Sequence, residues 1–195
     1  QLAAPTPSAT AVARGDAALK PPAVWDSGAG KSYAIPALDI VGFDLLLNAF
    51  DRTFIDSRDY DSNLSTIHRN LRGPWVVDND KFSINQFGHP YQGSMYHGFA
   101  RSAGLSYWEA AGYTFAGSLL WEIAGENTPP SKNDQIASGI AGSFLGEPLF
   151  RLANLWLEKS DATPFWRELG AAAISPSTAF NRWAYGDRFK GIFPS

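Results

Sequence analysis

Six acidic and histidine side chains in the middle of the chain are of types that could bind a metal ion or move a proton. They are His89, His97, Glu122, Glu126, Asp134 and Glu147. Glu122 and Glu126 lie four residues apart, so both carboxylates would project from one face of a helix. Like charges at this spacing repel each other unless a cation, an arginine or a shared proton offsets them. The pattern therefore fits a divalent-cation site or a general acid–base pair.

Four of these side chains are candidate metal ligands: His89, His97, Glu122 and Glu126. Histidines from a preceding helix would complete a carboxylate site. However, neither a His-Glu-x-x-His nor a Gly-x-Ser-x-Gly motif occurs in the sequence. The competing interpretation is structural, with the acids and histidines bonded to helix caps and to Arg101 or Arg151. We predict no resident cofactor and keep a divalent metal ion as an alternative.

Capping and proline signals place these side chains on successive helices. Ser106 and Glu109 have the spacing of a capping box, and Ser131 with Asp134 has a similar pattern. The predicted helices cover residues 36–51, 62–71, 90–104, 106–125, 131–146 and 149–159, and two shorter helices begin after Thr163 and Ser175.

Short loops between these helices predict that the polar side chains meet, because short connections favour antiparallel neighbours. We expect one cluster containing His89, His97, Glu122 and Asp134. The expected structural polar residues are Asn85, Arg101, Glu109 and Asn133. His89 precedes Pro90, which disfavours helical dihedrals, so we predict a cap or loop position for it.

Apolar residues in two of the helices predict which surfaces are buried. The first helix has too many of them for one narrow stripe, so we expect it to be well buried. In the segment 149–159, Leu152, Leu155 and Trp156 are expected to point inward. Pro148 removes a backbone donor and should kink or break the helix before this segment.

The segment between the second and third helices contains few helical signals. Residues 75–77 form a short apolar run that predicts a strand fragment. The following Asp78-Asn79-Asp80 is typical of a turn, because Asp and Asn side chains bond to their own backbone.

Small residues predict close packing between helices. Ser138, Gly142 and Gly146 recur every four residues, and Gly112 and Gly117 lie in the preceding helix. Glycine costs a helix roughly 1 kcal/mol relative to alanine, so its repeated use indicates close backbone contact. The predicted fold is therefore a mainly α, compact multi-helix bundle with glycine-mediated packing.

Composition limits the domain organisation and the classes of partner. The chain has 195 residues, 45% of them hydrophobic and 18% charged, which is typical of a globular protein. We predict a flexible Ala/Pro-rich lead-in over residues 1–35 and a single helical domain over 36–195. The absence of cysteine excludes disulfides and thiolate chemistry. Because the chain opens with Gln1, we expect that a signal peptide has been removed.

Several partners are disfavoured. The net charge of −3 provides no basic surface for nucleic acid. Residues 28–32 end like a phosphate loop, but the required first glycine is replaced by Trp25, so nucleotide binding is not predicted. No run of about 18 uncharged apolar residues occurs, so no transmembrane helix is predicted.

Four linked motifs carry a family resemblance: NQFGHPYQGS, ARSAGLSYWE, GSLLWE and PSKND, at residues 85–94, 100–109, 117–122 and 130–134. Together with Gly146-Glu147, they resemble an uncharacterised domain-of-unknown-function family of Gram-negative envelope proteins. The resemblance implies a secreted, mainly helical domain that in many relatives precedes an outer-membrane β-barrel. Because the sequence has no alternating barrel strands, we expect a chain that either lacks the barrel or is a fragment. The family supplies no established reaction.

Three functions follow as hypotheses. The favoured one is a periplasmic or outer-membrane-associated helical scaffold, whose partner is an envelope protein or the outer-membrane surface. The alternative is a metal-dependent or acid–base enzyme that uses the His/Glu/Asp cluster. The second alternative is binding of a lipid or small apolar ligand between the glycine-lined helices.

Overall fold

The computed structural model describes residues 31–56 and 58–189, and within these ranges the protein is mainly helical and compact, as predicted. The α-helices are α1 (Ala34–Phe54), α2 (Leu64–Arg72), α3 (His89–Ser102), α4 (Tyr107–Leu120), α5 (Lys132–Ile136), α6 (Gly142–Lys159), α7 (Pro164–Ile174) and α8 (Pro176–Phe189). Short π-helical turns extend this set at Ile84–Gly88, Trp121–Gly125 and Ala137–Ala141.

Helix α3 lies at the centre of the fold. Every residue from Gln92 to Ser102 is buried, because α1, α4, α6 and α8 all pack against this helix. The apolar core divides around it, with Tyr96 and Phe99 facing α1 and with Leu105 and Phe150 packed near its end. Side chains on α3 are therefore held on all sides, which makes this helix the element that positions the buried polar groups.

Glycine contacts join α3 to α6, so glycine-mediated packing is present as predicted, but Gly142 and Gly146 contact α3 instead of the helix that contains Gly112. A Cβ atom built on Gly142 would lie 2.5 Å from the Cα atom of Gly93, and one built on Gly146 would lie 2.6 Å from Cβ of His97. The two backbones leave no space for a side chain at these glycines. A lipid or small apolar ligand therefore has no space between α3 and α6 at this contact. Gly112, by contrast, has nothing within 4 Å of the corresponding position and takes no part in this packing.

Helix starts follow the local signals in the sequence. The capping box at α4 is present, since the Ser106 backbone N–H donates to the Glu109 carboxylate at 2.8 Å and the Glu109 backbone N–H donates to Ser106 Oγ at 3.5 Å. At α5, Ser131 Oγ accepts from the Asp134 backbone N–H. The expected strand fragment is a single bridge between Val76 and Ser131, and the described ranges contain no sheet.

Two local predictions are wrong. His89 is the first residue of α3 and has helical dihedrals, because the preceding π-helical turn continues into the helix and its N–H donates to the Ile84 carbonyl. Helix α6 also runs through Pro148 without a break. The flanking packing explains this continuity, since Gly146 is pressed on α3 and Phe150 is fully buried.

The predicted burial of the apolar helix faces is also wrong. On α1 the buried residues are Pro36, Asp39, Ile40 and Asp44, whereas most of its large apolar side chains are exposed. Leu152, Leu155 and Trp156 of α6 are likewise exposed instead of pointing inward. Polar side chains on α3 explain this arrangement, because they offer hydrogen-bond partners to the polar faces of the neighbouring helices.

The start of the described chain is attached to the bundle. Lys31 Nζ lies 2.9 Å from Glu109 Oε2, and the Tyr33 hydroxyl donates to Glu109 Oε1 at 2.6 Å. The remainder of the predicted lead-in, residues 1–30, lies outside the described residues. Among the helices of the described part, none combines the length and the apolar character needed to cross a membrane.

Candidate functional site

An acid-rich site lies at the N-terminal end of α3. Two backbone hydrogen bonds, Val76 N–H to the Pro130 carbonyl and Lys132 N–H to the Val76 carbonyl, join the 73–83 segment to the start of α5. This connection brings Asp78 and Asp80 beside Asp134. The side chain of Asn133 then bridges the two segments, since its Nδ2 donates to Asp78 Oδ1 at 2.7 Å and its Oδ1 accepts from the Asp78 N–H.

Asp80, His89 and Asp134 converge at this site. One potential ligand atom from each lies within 4.8 Å of those of the other two. His89 Nε2 is 3.4 Å from Asp134 Oδ1, and their side chains are only 6% and 3% exposed. Neither ring nitrogen of His89 has a hydrogen bond of acceptable geometry to a described residue, although the Gln92 side chain lies near enough to act against the lowering of the His89 pKa by burial. Asp80 is exposed, so the site opens to solvent on that side.

Within the described part of the chain, no lysine or arginine pairs with the carboxyl groups here, and burial and hydrogen bonding shift their pKa values. Burial, followed by the hydrogen bond with Asp78, raises the pKa of Asp134 to about 8. For Asp78, burial acts to raise the pKa, but hydrogen bonds with Asp134, Asn133 and Ser131 outweigh it and lower the pKa. Asp78 is therefore the more acidic of the two carboxyl groups, and Asp134 is the one that keeps its proton to higher pH. Burial also lowers the pKa of His89, which favours its neutral form.

Glu122 and Glu126 lie beside this site, in the π-helical turn after α4 and just beyond it. Glu122 is 2% exposed and accepts a 2.7 Å hydrogen bond from the Ser131 N–H. Burial and then repulsion by Glu126 raise its pKa to about 9, so it is protonated near neutral pH. Glu126 accepts hydrogen bonds from Trp121 Nε1 and the Thr128 hydroxyl. Both acids are thus bonded to neutral groups.

A second polar cluster surrounds the other buried histidine, His97. Its Nε2 is 3.1 Å from Glu147 Oε2, which also accepts from Arg101 Nε at 2.8 Å, and Glu147 Oε1 accepts from Arg151 Nε at 2.7 Å. Burial acts to raise the pKa of Glu147, but the His97 hydrogen bond and the two guanidinium groups lower it to about 2. Here one partly buried carboxylate has three partners within the chain, which is a structural arrangement.

The structure therefore divides the expected single cluster into two. His89 lies with Asp134, and Glu122 joins them through Ser131, whereas His97 lies with Glu147. The two histidines are eight residues apart on one helix, which separates them by about 12 Å along its axis. The expectation of one cluster overlooked this spacing.

The four expected structural polar residues also divide between regions. Asn85 and Asn133 lie at the acid-rich site, where Asn133 Nδ2 donates to Asn85 Oδ1. Arg101 is fully buried beside Glu147, and Glu109 caps α4 and contacts Lys31.

Sequence reasoning missed Asp78 and Asp80 because a turn explained them fully. It also missed two buried acids of α1, Asp39 and Asp44, the second of which accepts a hydrogen bond from the Tyr96 hydroxyl. The burial of Asp39 and Asp44 could have been predicted, since an acid within a strongly apolar helix must either reach water or find a buried donor.

Large apolar side chains form a second candidate surface. Exposed ones occur along α1, α4, α6, α7 and α8, and all of these helices except α7 also contain buried polar residues. An apolar groove of about 580 Å³ also lies between α7 and α8, lined by Pro164, Phe165, Leu169 and Trp183 among others. Exposed apolar surface of this kind is a candidate for an interaction site.

Comparison with known proteins yields one relation. A family model described as Domain of unknown function (DUF3943) matches residues 74–177, which is just over half of the chain. No curated protein and no solved structure matches the chain. The matched range contains α3 to α7 and both buried histidines.

Proposed function

Because the chain belongs to the Domain of unknown function (DUF3943) family, which carries no assigned reaction, we propose that it is an interaction domain of the bacterial cell envelope. In this proposal the domain is a helical scaffold in the periplasm, associated with the outer membrane, and an envelope protein covers its apolar exterior. The observation that carries the proposal is the inverted distribution of polar and apolar residues across its helices.

Helix α1 provides the clearest case of this inversion. Asp39 and Asp44 are 7% and 6% exposed, whereas Leu38, Leu45 and Leu46 are between 67% and 73% exposed. A helix of a water-soluble protein normally has the opposite arrangement, with its apolar stripe on the core. The outer face of α1 therefore suits an apolar surrounding better than water.

The same inversion recurs in other helices around α3. Their buried polar residues include Thr114 of α4, Asn154 of α6 and Asn181 of α8, and their exposed apolar residues include Trp108, Phe144 and Trp183. Removing apolar surface from water stabilises a complex by about 25 cal/mol per Å². Monomeric proteins rarely expose apolar patches larger than a few hundred Å². Isolated exposed apolar residues are ordinary, but a repeated pattern on several helices favours a partner.

The direction of these faces favours a protein over a flat lipid surface. Helices α1, α4, α6 and α8 pack on different sides of α3, so their outer faces point in different directions. A bilayer surface can cover only one of these directions, whereas an envelope protein with an apolar wall can cover several. The family resemblance supports the envelope as the location.

Site-specific photo-crosslinking tests this proposal in cells. A photoreactive phenylalanine analogue would replace Leu45 on α1, Trp108 on α4 or Phe144 on α6 in the protein produced in a Gram-negative host. Arg72 of α2 and Asp161, which are exposed and polar or charged, serve as control positions. We expect all three apolar positions to crosslink to the same envelope protein, identified by mass spectrometry, and the controls to crosslink much less.

Three results would overturn the proposal. Crosslinking only to lipid would assign the apolar faces to a membrane surface, and crosslinking only to another copy of the chain would assign them to self-association. Equal yields at apolar and control positions would show that these faces have no dedicated partner.

A further inference from the structure

We propose that Asp80, His89 and Asp134 form a binding site for a divalent first-row transition-metal ion. No activity or ligand is assigned to these residues, and the inference does not depend on what covers the apolar exterior. The three side chains come from three different elements: the 73–83 segment, the start of α3 and the start of α5. The fold itself therefore brings the donors together.

The spacing of the donor atoms fits a metal ion. Two ligands of tetrahedral zinc with bonds of about 2.0–2.1 Å lie roughly 3.3 Å apart. His89 Nε2 and Asp134 Oδ1 are 3.4 Å apart, and all three donors lie within 4.8 Å of one another. The first pair already has the separation of two ligands. Asp80 is exposed, so its side chain is free to close the remaining distance.

The surroundings of His89 provide an independent indication of a ligand. The residue is only 4% exposed, and neither ring nitrogen has a hydrogen bond of acceptable geometry among the described residues, with the neutral Gln92 side chain as a near neighbour. A buried polar group without a partner costs free energy, so such groups normally have one. Nε2 faces a carboxylate oxygen at 3.4 Å, and a metal ion between them would satisfy both atoms.

Charge supports the same assignment. Asp78, Asp80, Glu122, Glu126 and Asp134 gather at this end of α3. In the described ranges, none of the five has an ion pair with a lysine or arginine. A divalent cation would lower the electrostatic repulsion among those of these carboxyl groups that are ionised. Asn133 Nδ2 donates hydrogen bonds to Asp78 Oδ1 and, at 3.1 Å, to Asp134 Oδ1. The second bond orients the Asp134 carboxylate, as groups outside the ligand shell do in metal sites.

The donor set indicates the class of ion. One imidazole with two carboxylates suits zinc or manganese, whereas calcium and magnesium prefer oxygen ligands alone. Because Asp80 lies at the solvent-exposed side, water or a ligand can take the remaining coordination position. The site thus has the composition of an accessible metal site with three protein ligands.

Zinc binding to the full chain tests the assignment. After dialysis against chelator, isothermal titration with zinc chloride is expected to give one tight site per chain and to raise the melting temperature. Cobalt chloride is the second probe, since a tetrahedral Co²⁺ site absorbs strongly in the visible range. The variants are His89→Gln and Asp80→Asn, with His68→Gln and Asp161→Asn as matched controls at exposed positions.

We expect zinc affinity to fall at least about tenfold in each site variant, as losses around metal sites typically do, and to stay unchanged in the controls. If His89→Gln fails to fold, Asp80→Asn decides the outcome, because Asp80 is exposed. Absence of micromolar zinc binding by the parent chain would overturn the proposal. Equal binding by the parent and Asp80→Asn would overturn it as well.

Discussion

Helix α3 carries two buried histidines in opposite electrostatic surroundings. At His97, the carboxylate of Glu147 is held by Arg101 and Arg151, so the charges are balanced within the chain. At His89, about 12 Å away along the helix, Asp80 and Asp134 have no arginine or lysine partner among the described residues. The comparison shows that the carboxylate at one end is paired with cations of the chain itself, whereas the carboxyl groups at the other end have no such pairing among the described residues.

Replacing a glutamate by glutamine in each of the two clusters provides the strongest test of this difference. Glu147→Gln removes the charge that balances two guanidinium groups, and breaking such a buried pair costs about 3–5 kcal/mol. Glu122→Gln is expected to cost less than about 1 kcal/mol at pH 7, because Glu122 is already protonated there and a glutamine oxygen can still accept from Ser131. Urea unfolding followed by circular dichroism measures both values. Equal losses would contradict the contrast between the two ends.

Asp44 is a buried carboxyl group away from both histidines, and it tests whether burial without a cationic partner raises a pKa in this protein. Burial raises the pKa of Asp44 to about 7, against a hydrogen bond from Tyr96 that lowers it. The folded state then holds a proton that the unfolded chain releases near pH 4. The contribution of Asp44 to stability is therefore largest below about pH 4, falls as the pH rises to about 7, and is constant above it.

The shift corresponds to at most about 4 kcal/mol. Asp44→Asn should remove this fall while keeping an acceptor for Tyr96. The measurement is the difference in unfolding free energy between the parent and the variant across pH 4 to 8. A difference that does not change with pH would show that Asp44 titrates normally.

The contact between Gly93 and Gly142, which lies between the His89 and His97 clusters, provides the next test. Gly93 lies midway between the histidines and touches Gly142, where an added Cβ would lie 2.5 Å from the Gly93 Cα atom. Gly142→Ala is expected to cost about 1–3 kcal/mol by overpacking. Gly112→Ala is the control and should stabilise by up to about 1 kcal/mol, because its site is open and alanine favours helix. Thermal melting compares them, and a similar response would contradict the contact.

The smallest expected effect concerns the outer partner of Glu147. Arg151 is 48% exposed, so Arg151→Leu should cost less than about 1 kcal/mol, as for other surface ion pairs. Arg101 is fully buried and should be far more sensitive to the same change. If the two variants lose equal stability in urea unfolding, the difference in burial does not determine their contributions.

Local sequence signals determined most of the helical framework. The capping box of Ser106 and Glu109 and the Ser131 cap depend on residues three apart, so the tertiary structure was not needed to recognise them. A close backbone contact at Gly142 was likewise predictable, because a glycine repeat is costly unless backbones touch, but that its partner is α3 was not. These features follow from short-range geometry and from the residue types themselves.

Only the tertiary structure decided which helix faces point inward and which histidine meets which acid. The periodicity of α1 marks an apolar face but does not say whether the protein's own core covers it, and here Asp39 and Asp44 face inward instead. Likewise, Asp80 became part of a site only because the Val76–Ser131 bridge holds its segment against α5. The sequence alone determined the helices and their ends, because those depend on neighbours along the chain. Burial and partnership depend on packing between distant segments, which local patterns do not encode.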